Sequence, residues 1–84
     1  MAQYEHNSAQ FGYLNLDDLE GVQKALLALG YSAGKADGKD GPNTQKAVRE
    51  FQASALIQVD GKVGPMTREA LRAELDKRAG EAGA

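Results

Sequence analysis

A twelve-residue phrase that occurs twice limits what this chain can fold into. DGKDGPNTQKAV at residues 37–48 returns as DGKVGPMTREAL at residues 60–71, with seven identical positions. In each copy an Asp-Gly pair predicts a turn whose glycine has a positive φ. The proline that follows is suited to the first position of a helix. We therefore predict two helices that begin with the same turn.

The shared polar residues of the two copies fit this role. The carboxylates of Asp37 and Asp60 are expected to accept N–H groups from the next residues of their turns. Thr44 and Thr67 fall at the third helical position, where a side chain can bond to the backbone of the cap residue. Two identical helix starts therefore explain most of the phrase.

A further helix is predicted ahead of the repeat. Its apolar stripe has helical spacing and consists of Leu19, Val22, Leu26 and Leu29. Asn15 is a suitable N-cap, and Gly30 is a suitable left-handed residue after the last turn. Gly21 lies inside this helix, where it is expected to permit the close approach of a neighbouring segment.

The two repeated helices also carry apolar stripes. The inner positions are predicted to be Thr44, Ala47, Val48, Phe51 and Ala55 in the second helix and Ala70, Leu71 and Leu75 in the third. Between these helices, Leu56, Ile57 and Val59 could lie extended and close the core. The sequence thus predicts an all-α fold, a compact three-helix bundle with its two DG turns at helix N-termini.

The domain organisation follows from length and periodicity. A chain of 84 residues allows one domain, and we assign it to residues 14–79. Residues 1–13 are polar without a steady period, and we predict that they form a tail or a strap lying on the domain. Residues 80–84 are rich in Gly and Ala and are predicted to be a flexible C-terminal tail.

Charge and composition argue against several classes of protein. Ten basic and twelve acidic residues give a net charge of −2, whereas a nucleic-acid-binding domain should carry a basic excess. No apolar run approaches the length of a membrane span, and no cysteine is present for a disulfide or a thiolate metal site. The first ten residues do not resemble a secretory signal. If the protein functions outside the cytoplasm, we therefore expect a removed leader, a larger parent chain or a carrier machine to take it there.

Residues suited to catalysis or metal binding are scarce. His6 is the only histidine and falls in the predicted tail, and we expect no Ser/His/Asp set to assemble in the bundle. Lys39 occupies the position where a calcium loop needs an oxygen ligand. The phrase also lacks the spacing of a phosphate-binding loop. The sequence therefore predicts a protein that is not an enzyme and that has no metal site and no cofactor.

A longer pattern extends across both copies of the phrase. It contains, in order, Val22-Gln23, Leu26, Leu29-Gly30-Tyr31, Asp37-Gly38, Gly41, Thr44, Ala47-Val48, Phe51-Gln52, Leu56, Asp60-Gly61, Gly64, Thr67 and Ala70-Leu71. This pattern resembles the peptidoglycan-binding-domain family, the three-helix modules attached to bacterial and phage wall-active enzymes. The resemblance covers residues 19–75. The fold is also similar to the pro-domain of matrix metalloproteinases, but the cysteine that blocks zinc in that domain has no counterpart here.

The resemblance implies a non-catalytic module that binds the glycan and peptide stems of peptidoglycan. Such a module would anchor or target a partner or parent assembly to the bacterial wall. Its ligand needs N–H groups or cations for carboxylates, acceptors for amides and amines, and an aromatic face for a sugar. The loop at residues 31–44 and the start of the second helix could supply them, and the candidate ligand-binding residues are Tyr31, Asp37, Asp40, Asn43, Thr44 and Arg49.

The variable positions of the repeat are the most informative candidates. Asp40 and Asn43 stand where the second copy has Val63 and Met66, so the turn itself does not require them. They are either ligand contacts or neutral surface. Val63 and Met66 would form a small apolar spot, which either packs against the N-terminal strap or contacts another protein.

Structural alternatives exist for the remaining polar and aromatic positions. Tyr31 is alternatively an aromatic residue at the core edge, and Arg49 a solvated charge. Gln23 and Gln52 are interpreted as amides at the core edge that satisfy backbone groups of the loops.

A second class of function is also compatible with the sequence. The same bundle could be a protein-interaction or structural adaptor in a phage tail, an injection particle or a secretion assembly, with a protein partner bound through the N-terminal tail. The tail contains three aromatic residues that could dock on such a partner. The expected location is accordingly the cell wall, periplasm or cell exterior, or a phage or injection particle.

Overall fold

Two short strands and three helices follow one another along the described part of the chain. The structure, a computed structural model, describes residues 2–82. Its elements are β1 (Glu5–Ser8), β2 (Gly12–Asn15), α1 (Leu19–Ala28), α2 (Pro42–Ser54) and α3 (Pro65–Ala82). The mostly helical architecture confirms the predicted three-helix fold and adds an N-terminal hairpin to it.

The repeated phrase begins a helix in both of its copies, as predicted. α2 starts at Pro42 and α3 at Pro65. Gly38 and Gly61 have φ values of 78° and 73°, in the left-handed region that their turns require. The same local signal therefore produces the same local structure twice.

The end of α1 is a Schellman motif closed by a glycine. The N–H of Gly30 donates to the carbonyl of Leu27, and the N–H of Tyr31 donates to that of Leu26. Gly30 has a φ of 96°, which confirms its predicted left-handed conformation.

The end of α2 has the same motif, but a leucine takes the place of the glycine. The N–H groups of Leu56 and Ile57 donate to the carbonyls of Ala53 and Gln52. Leu56 has a φ of 60° and is 92% exposed, and Val59 is half exposed. The prediction that residues 56–59 close the core is therefore wrong, because the helix-ending motif directs Leu56 into solvent.

The segment predicted as a tail or strap contains an antiparallel hairpin. Glu5 pairs with Asn15 and Ser8 with Gly12, and β1 packs against α3. The strap alternative describes this segment better than a tail does. Asn15 is consequently a strand residue, and the prediction that it caps the first helix is wrong.

The N-cap of α1 is Asp18, three residues after the position predicted from the sequence. Gly21, in the first turn of α1, lies directly against β2. A Cβ at this position would overlap the backbone carbonyl oxygen of Asn15. The close approach that was predicted for Gly21 is confirmed, and the neighbouring segment is the hairpin.

The core lies between the hairpin and the three helices. Its buried apolar residues are Leu14, Leu16, Val22, Ala25, Leu26, Leu29, Ala33, Ala47, Val48, Phe51, Leu71 and Leu75. The predicted inner stripes are represented in this set, and the hairpin and the residue after it add two leucines. Burial of these leucines helps a chain of this length to form a sufficient core.

The third helix is longer than the sequence suggested. α3 runs to Ala82, so it includes the first three residues of the segment predicted as a C-terminal tail; residues 83–84 lie outside the described residues. None of the helices in residues 2–82 combines the length and apolar character needed to cross a membrane.

Candidate functional site

A buried amide from α1 holds the first DG turn. Gln23 is fully buried, and its Oε1 accepts the N–H of Gly38 at 2.8 Å. Its Nε2 donates to the carbonyl of Lys39 and to the hydroxyl of Thr44, both at 2.9 Å. The predicted role of Gln23 in satisfying loop backbone groups is confirmed.

Gln52 of α2 does the same for the second turn, with more bonds. Its Oε1 accepts the N–H groups of Asp60 and Gly61, both at 3.0 Å. Its Nε2 donates to the Asp60 carboxylate at 2.9 Å and to the Lys62 carbonyl at 3.0 Å. The hydroxyl of Thr67 is a third acceptor at 3.0 Å. Each turn is therefore fixed from inside the helix that precedes it.

The two repeated threonines join these networks instead of capping their helices. Thr44 donates its hydroxyl to the carbonyl of Ala33 at 3.1 Å, and Thr67 donates to that of Lys62 at 3.4 Å. The prediction that they bond to the cap residue is wrong, because their side chains point into the loop. At α2 the cap residue is Gly41, which provides no side-chain cap.

A small groove lies between the first loop and the start of α2, and we call it the first groove. It has a volume of about 180 Å³ and is lined by Ala33, Gly34, Lys35, Asp37, Lys39, Gly41, Pro42, Asn43 and Thr44. The first N–H groups of α2 have no acceptor within the helix. The first groove is therefore lined by two lysines, an aspartate and an asparagine, beside the positive end of a helix.

Three of the six predicted ligand-binding residues lie along the first groove. They are Asp37, Asn43 and Thr44. Asn43 is exposed, whereas Thr44 is 3% exposed. Asp40 lies outside the groove lining, and its carboxylate accepts a bond from the Gln45 amide at 3.4 Å.

The other two predicted residues lie elsewhere. Tyr31 is half-buried and packs edge-on against Phe51, with ring centroids 5.9 Å apart. Arg49 lies against the second turn, where a Cβ on Gly61 would stand 3.1 Å from its Nη1. The structure thus places Tyr31 at the core edge and Arg49 beside the other copy of the phrase.

The turn aspartates are held as carboxylates by backbone donors. The N–H of Lys39 donates to Asp37 at 2.9 Å and holds the pKa of that carboxyl below its ordinary value of 3.8. The N–H of Lys62 does the same to Asp60 at 2.9 Å, and Gln52 adds a further bond. The predicted turn geometry is confirmed, and these bonds favour the ionised form of both side chains.

The second copy of the phrase forms an equivalent but more apolar groove, which we call the second groove. Its volume is about 300 Å³, and it is lined by Gln52, Ile57, Gln58, Asp60, Lys62, Gly64, Pro65, Met66 and Thr67. Met66 is 66% exposed, whereas Val63 is half-buried and packs on the core. A neighbouring concavity of about 430 Å³ adds Tyr4 and Glu69. The apolar spot predicted here thus involves Met66 without Val63.

A larger cleft of about 540 Å³ lies between the hairpin and α1, and we call it the hairpin cleft. It is lined by Tyr13, Leu14, Asn15, Asp18, Leu19, Glu20, Gly21, Lys24 and Gly38. These residues were not predicted to form a site from the sequence. The available signal was the alternation of polar and apolar residues along Tyr13, Leu14 and Asn15, which is short because each strand has four residues.

A Ser, His and Asp do come together, contrary to expectation. His6 is 3% exposed, with Nδ1 at 2.6 Å from an oxygen of Asp76 and Nε2 at 2.7 Å from the hydroxyl of Ser8. The N–H of Phe11 donates to the same hydroxyl at 3.1 Å, and Arg72 donates to the other Asp76 oxygen at 2.8 Å. A hydrolytic site instead aims its backbone N–H groups at the substrate oxyanion. Ser8 lines none of the four concavities described above, and the cluster clamps the hairpin to α3.

Comparison with known proteins identifies the fold that carries these grooves. Residues 15–71 match the family model described as "Putative peptidoglycan binding domain". The chain belongs to this family. No curated protein and no solved structure gave a significant match.

The family match separates two parts of this peptidoglycan-binding domain. The matched residues contain α1, α2, both DG turns and the start of α3. They leave out β1 and nearly all of β2, so the hairpin cleft and the His6 cluster are built partly by residues beyond the match. Within residues 2–82, no group of His, Cys, Asp or Glu side chains is arranged to hold a metal ion.

Proposed function

We propose that this domain binds peptidoglycan through the first groove and thereby holds a parent protein or assembly at the bacterial wall. Two observations support the proposal. The family match covers both turns, and the first groove has the exposed amide of Asn43 where its apolar counterpart has Met66.

The first groove suits the carboxylate end of a stem peptide. Lys35 and Lys39 provide cations along its wall, and the N–H groups of Asn43 and Thr44 point outward from the first turn of α2. A volume of about 180 Å³ is below that of a typical drug-sized pocket. The groove therefore suits the terminal residue of a peptide, with the remainder of the ligand lying along the surface.

Carboxylates beside the groove would complement an ammonium group on the same peptide. Asp37 lines the groove, and the bond from the backbone N–H of Lys39 favours its ionised form and lowers its pKa. Asp40 is exposed next to it. Opposite charges on one small surface fit a ligand that carries both an amine and a carboxylate.

The six candidate residues would then have different roles. Asn43, Asp37 and Asp40 would contact the ligand. Thr44 would position the groove, because its hydroxyl is occupied by bonds within the protein. Tyr31 and Arg49 lie outside the groove and would act only on a ligand that extends beyond it.

Sedimentation with isolated wall sacculi tests this proposal. The wild-type domain should sediment together with the sacculi. The double variant Asp40→Ala with Asn43→Ala should bind at least about tenfold more weakly, which corresponds to the loss of one or two charge-assisted hydrogen bonds. Its urea unfolding curve should match that of the wild type, because neither side chain is buried.

Lys46→Ala provides a control, because this exposed side chain of α2 lines none of the clefts described above. It should sediment as the wild type does. Failure of the wild-type domain to sediment, or equal binding by the double variant, would contradict the proposal.

A second candidate function, a protein-interaction adaptor, is favoured by the second groove. Met66 is 66% exposed, and the exposed Leu56 follows α2 in the left-handed region. Apolar side chains therefore face solvent here, and exposed apolar surface is typical of protein-interaction sites. Under this hypothesis the domain ignores sacculi and binds a protein of its parent assembly. Met66→Lys should abolish that binding, and neither the wild type nor the variant should sediment with sacculi.

A further inference from the structure

The outer face of the hairpin presents one aromatic ring among polar side chains. Side chains alternate along a strand, and Leu14 faces the core, so Tyr13 and Asn15 face outward. The register places Glu5 opposite Asn15 and Asn7 opposite Tyr13. This face therefore carries a carboxylate, two amides and a phenol ring.

The ring of Tyr13 is exposed but held in place. Its side chain is 55% exposed, and its hydroxyl donates to a carboxylate oxygen of Glu5 at 2.9 Å. A hydrogen bond across the hairpin restricts the rotation of the ring, so less conformational entropy is lost when a ligand stacks on it. Aromatic groups with one apolar face and one polar end are common at binding surfaces.

The hairpin cleft extends this face towards α1. Asp18 and Glu20 line it, and Lys24 forms an ion pair with Glu20 at 3.1 Å. The balance of these charges is negative, which disfavours an anionic ligand. Carboxylate oxygens are well suited to accept hydrogen bonds from hydroxyl and amide groups of a neutral ligand. At about 540 Å³ the cleft is within the range of small-molecule sites.

We infer that the hairpin cleft binds a neutral N-acetylated sugar of the wall glycan, with Tyr13 stacked on the sugar ring. The inference rests on the proposed function and assigns the glycan to a different surface from the stem peptide. Gly38 lines the hairpin cleft, and its neighbours Asp37 and Lys39 line the first groove. The first DG turn thus lies between the two surfaces, so one wall fragment can contact both.

Binding of the tetramer of N-acetylglucosamine tests the inference, because this probe contains no peptide and no charge. Titration of the labelled domain, followed by amide NMR shifts, should show saturable changes at residues 13–21 and at Gly38. Tyr13→Ala should weaken binding at least about tenfold, and Tyr13→Phe should retain most of it because the ring remains. Lys46→Ala serves as the unaffected control.

The outcomes separate this inference from the proposed function. If the wild type binds sacculi but not the tetramer, or if Tyr13→Ala binds the tetramer as well as the wild type, the inference is overturned and wall binding stands. If the wild type binds neither, both fail. A far-UV circular dichroism spectrum and a urea midpoint equal to those of the wild type would show that Tyr13→Ala remains folded. If the variant does not fold, the wild-type titration still tests the inference. Shift changes confined to residues 35–43 in that titration would overturn it.

Discussion

Replacement of Gln52 by methionine should remove much of the stability of this domain. The methionine side chain has a similar volume but makes no strong hydrogen bonds, so the substitution isolates the contribution of the amide. Gln52 is 1% exposed, its two N–H groups face three acceptors, and its oxygen accepts two backbone N–H groups. Counting four effective bonds at about 1 kcal/mol each gives a loss of about 4 kcal/mol.

The same count for Gln23 gives a smaller loss. Its two N–H groups have one acceptor each and its oxygen accepts one backbone N–H, so Gln23→Met should lose about 3 kcal/mol. A domain of this length has a total free energy of unfolding of about 4–13 kcal/mol. Either substitution should therefore lower the unfolding midpoint substantially, and Gln52→Met should be the more damaging of the two.

Urea unfolding followed by circular dichroism at the helix band measures both effects. Gln58→Met is the matched control, because Gln58 is exposed and its replacement should change the free energy by less than about 0.5 kcal/mol. If Gln52→Met unfolded at the same urea concentration as the control, the turn would not depend on the buried amide, and the reasoning would be refuted.

Three further predictions concern backbone geometry and charge. Gly21→Ala should destabilise the domain by about 3 kcal/mol, because the new Cβ meets the carbonyl of Asn15; thermal unfolding would show it, and an unchanged midpoint would contradict the contact. Leu56→Gly should raise the free energy of unfolding by about 1 kcal/mol, because glycine adopts a φ of 60° without strain. A lower free energy of unfolding in a urea titration would instead mean that Leu56 makes stabilising contacts. The pKa values of Asp37 and Asp60 are lowered in the folded state, so their contribution is present above their ordinary pKa of 3.8 and is lost as the pH falls through the lowered values. The urea midpoint of the wild type should therefore be steady near neutral pH and decline in acid. The decline should be shallower in a variant with both aspartates changed to Asn. A wild-type midpoint that does not decline, or a decline that is equally steep in the variant, would count against this account.

The sequence predicted the helices well because their signals are local. The Asp-Gly pairs require a particular φ at Gly38 and Gly61, and the prolines at 42 and 65 suit the first turn of a helix but not its interior. Gln23 was interpreted correctly because a buried amide needs partners, and the loop backbone supplies them.

The hairpin could not be predicted in the same way. Its strands have four residues each, and β1 packs against a helix that begins more than fifty residues later in the chain. His6 appeared to be a tail residue because its partner Asp76 is 70 positions away. Long-range contacts of this kind leave no periodic signal, and the hairpin cleft depends on them.

The candidate site was predicted only in part, because only some of its residues are close to one another in the sequence. Asn43 and Asp37 are close in sequence to the groove that they line, so the turn and helix start sufficed to locate them. Arg49 was predicted to lie outward on the second helix as a candidate ligand contact, but its position about two turns along α2 places it against the second DG turn.

Each DG turn takes its support from a glutamine of the helix before it, and this arrangement has an evolutionary consequence. The outward positions 40, 43 and 66 carry none of that support, so mutation can alter them while selection retains the scaffold. A lineage could therefore exchange one wall chemistry for another, or a wall for a protein partner, through a few substitutions at the loops. Engineers could use the same freedom to graft new recognition residues onto either turn.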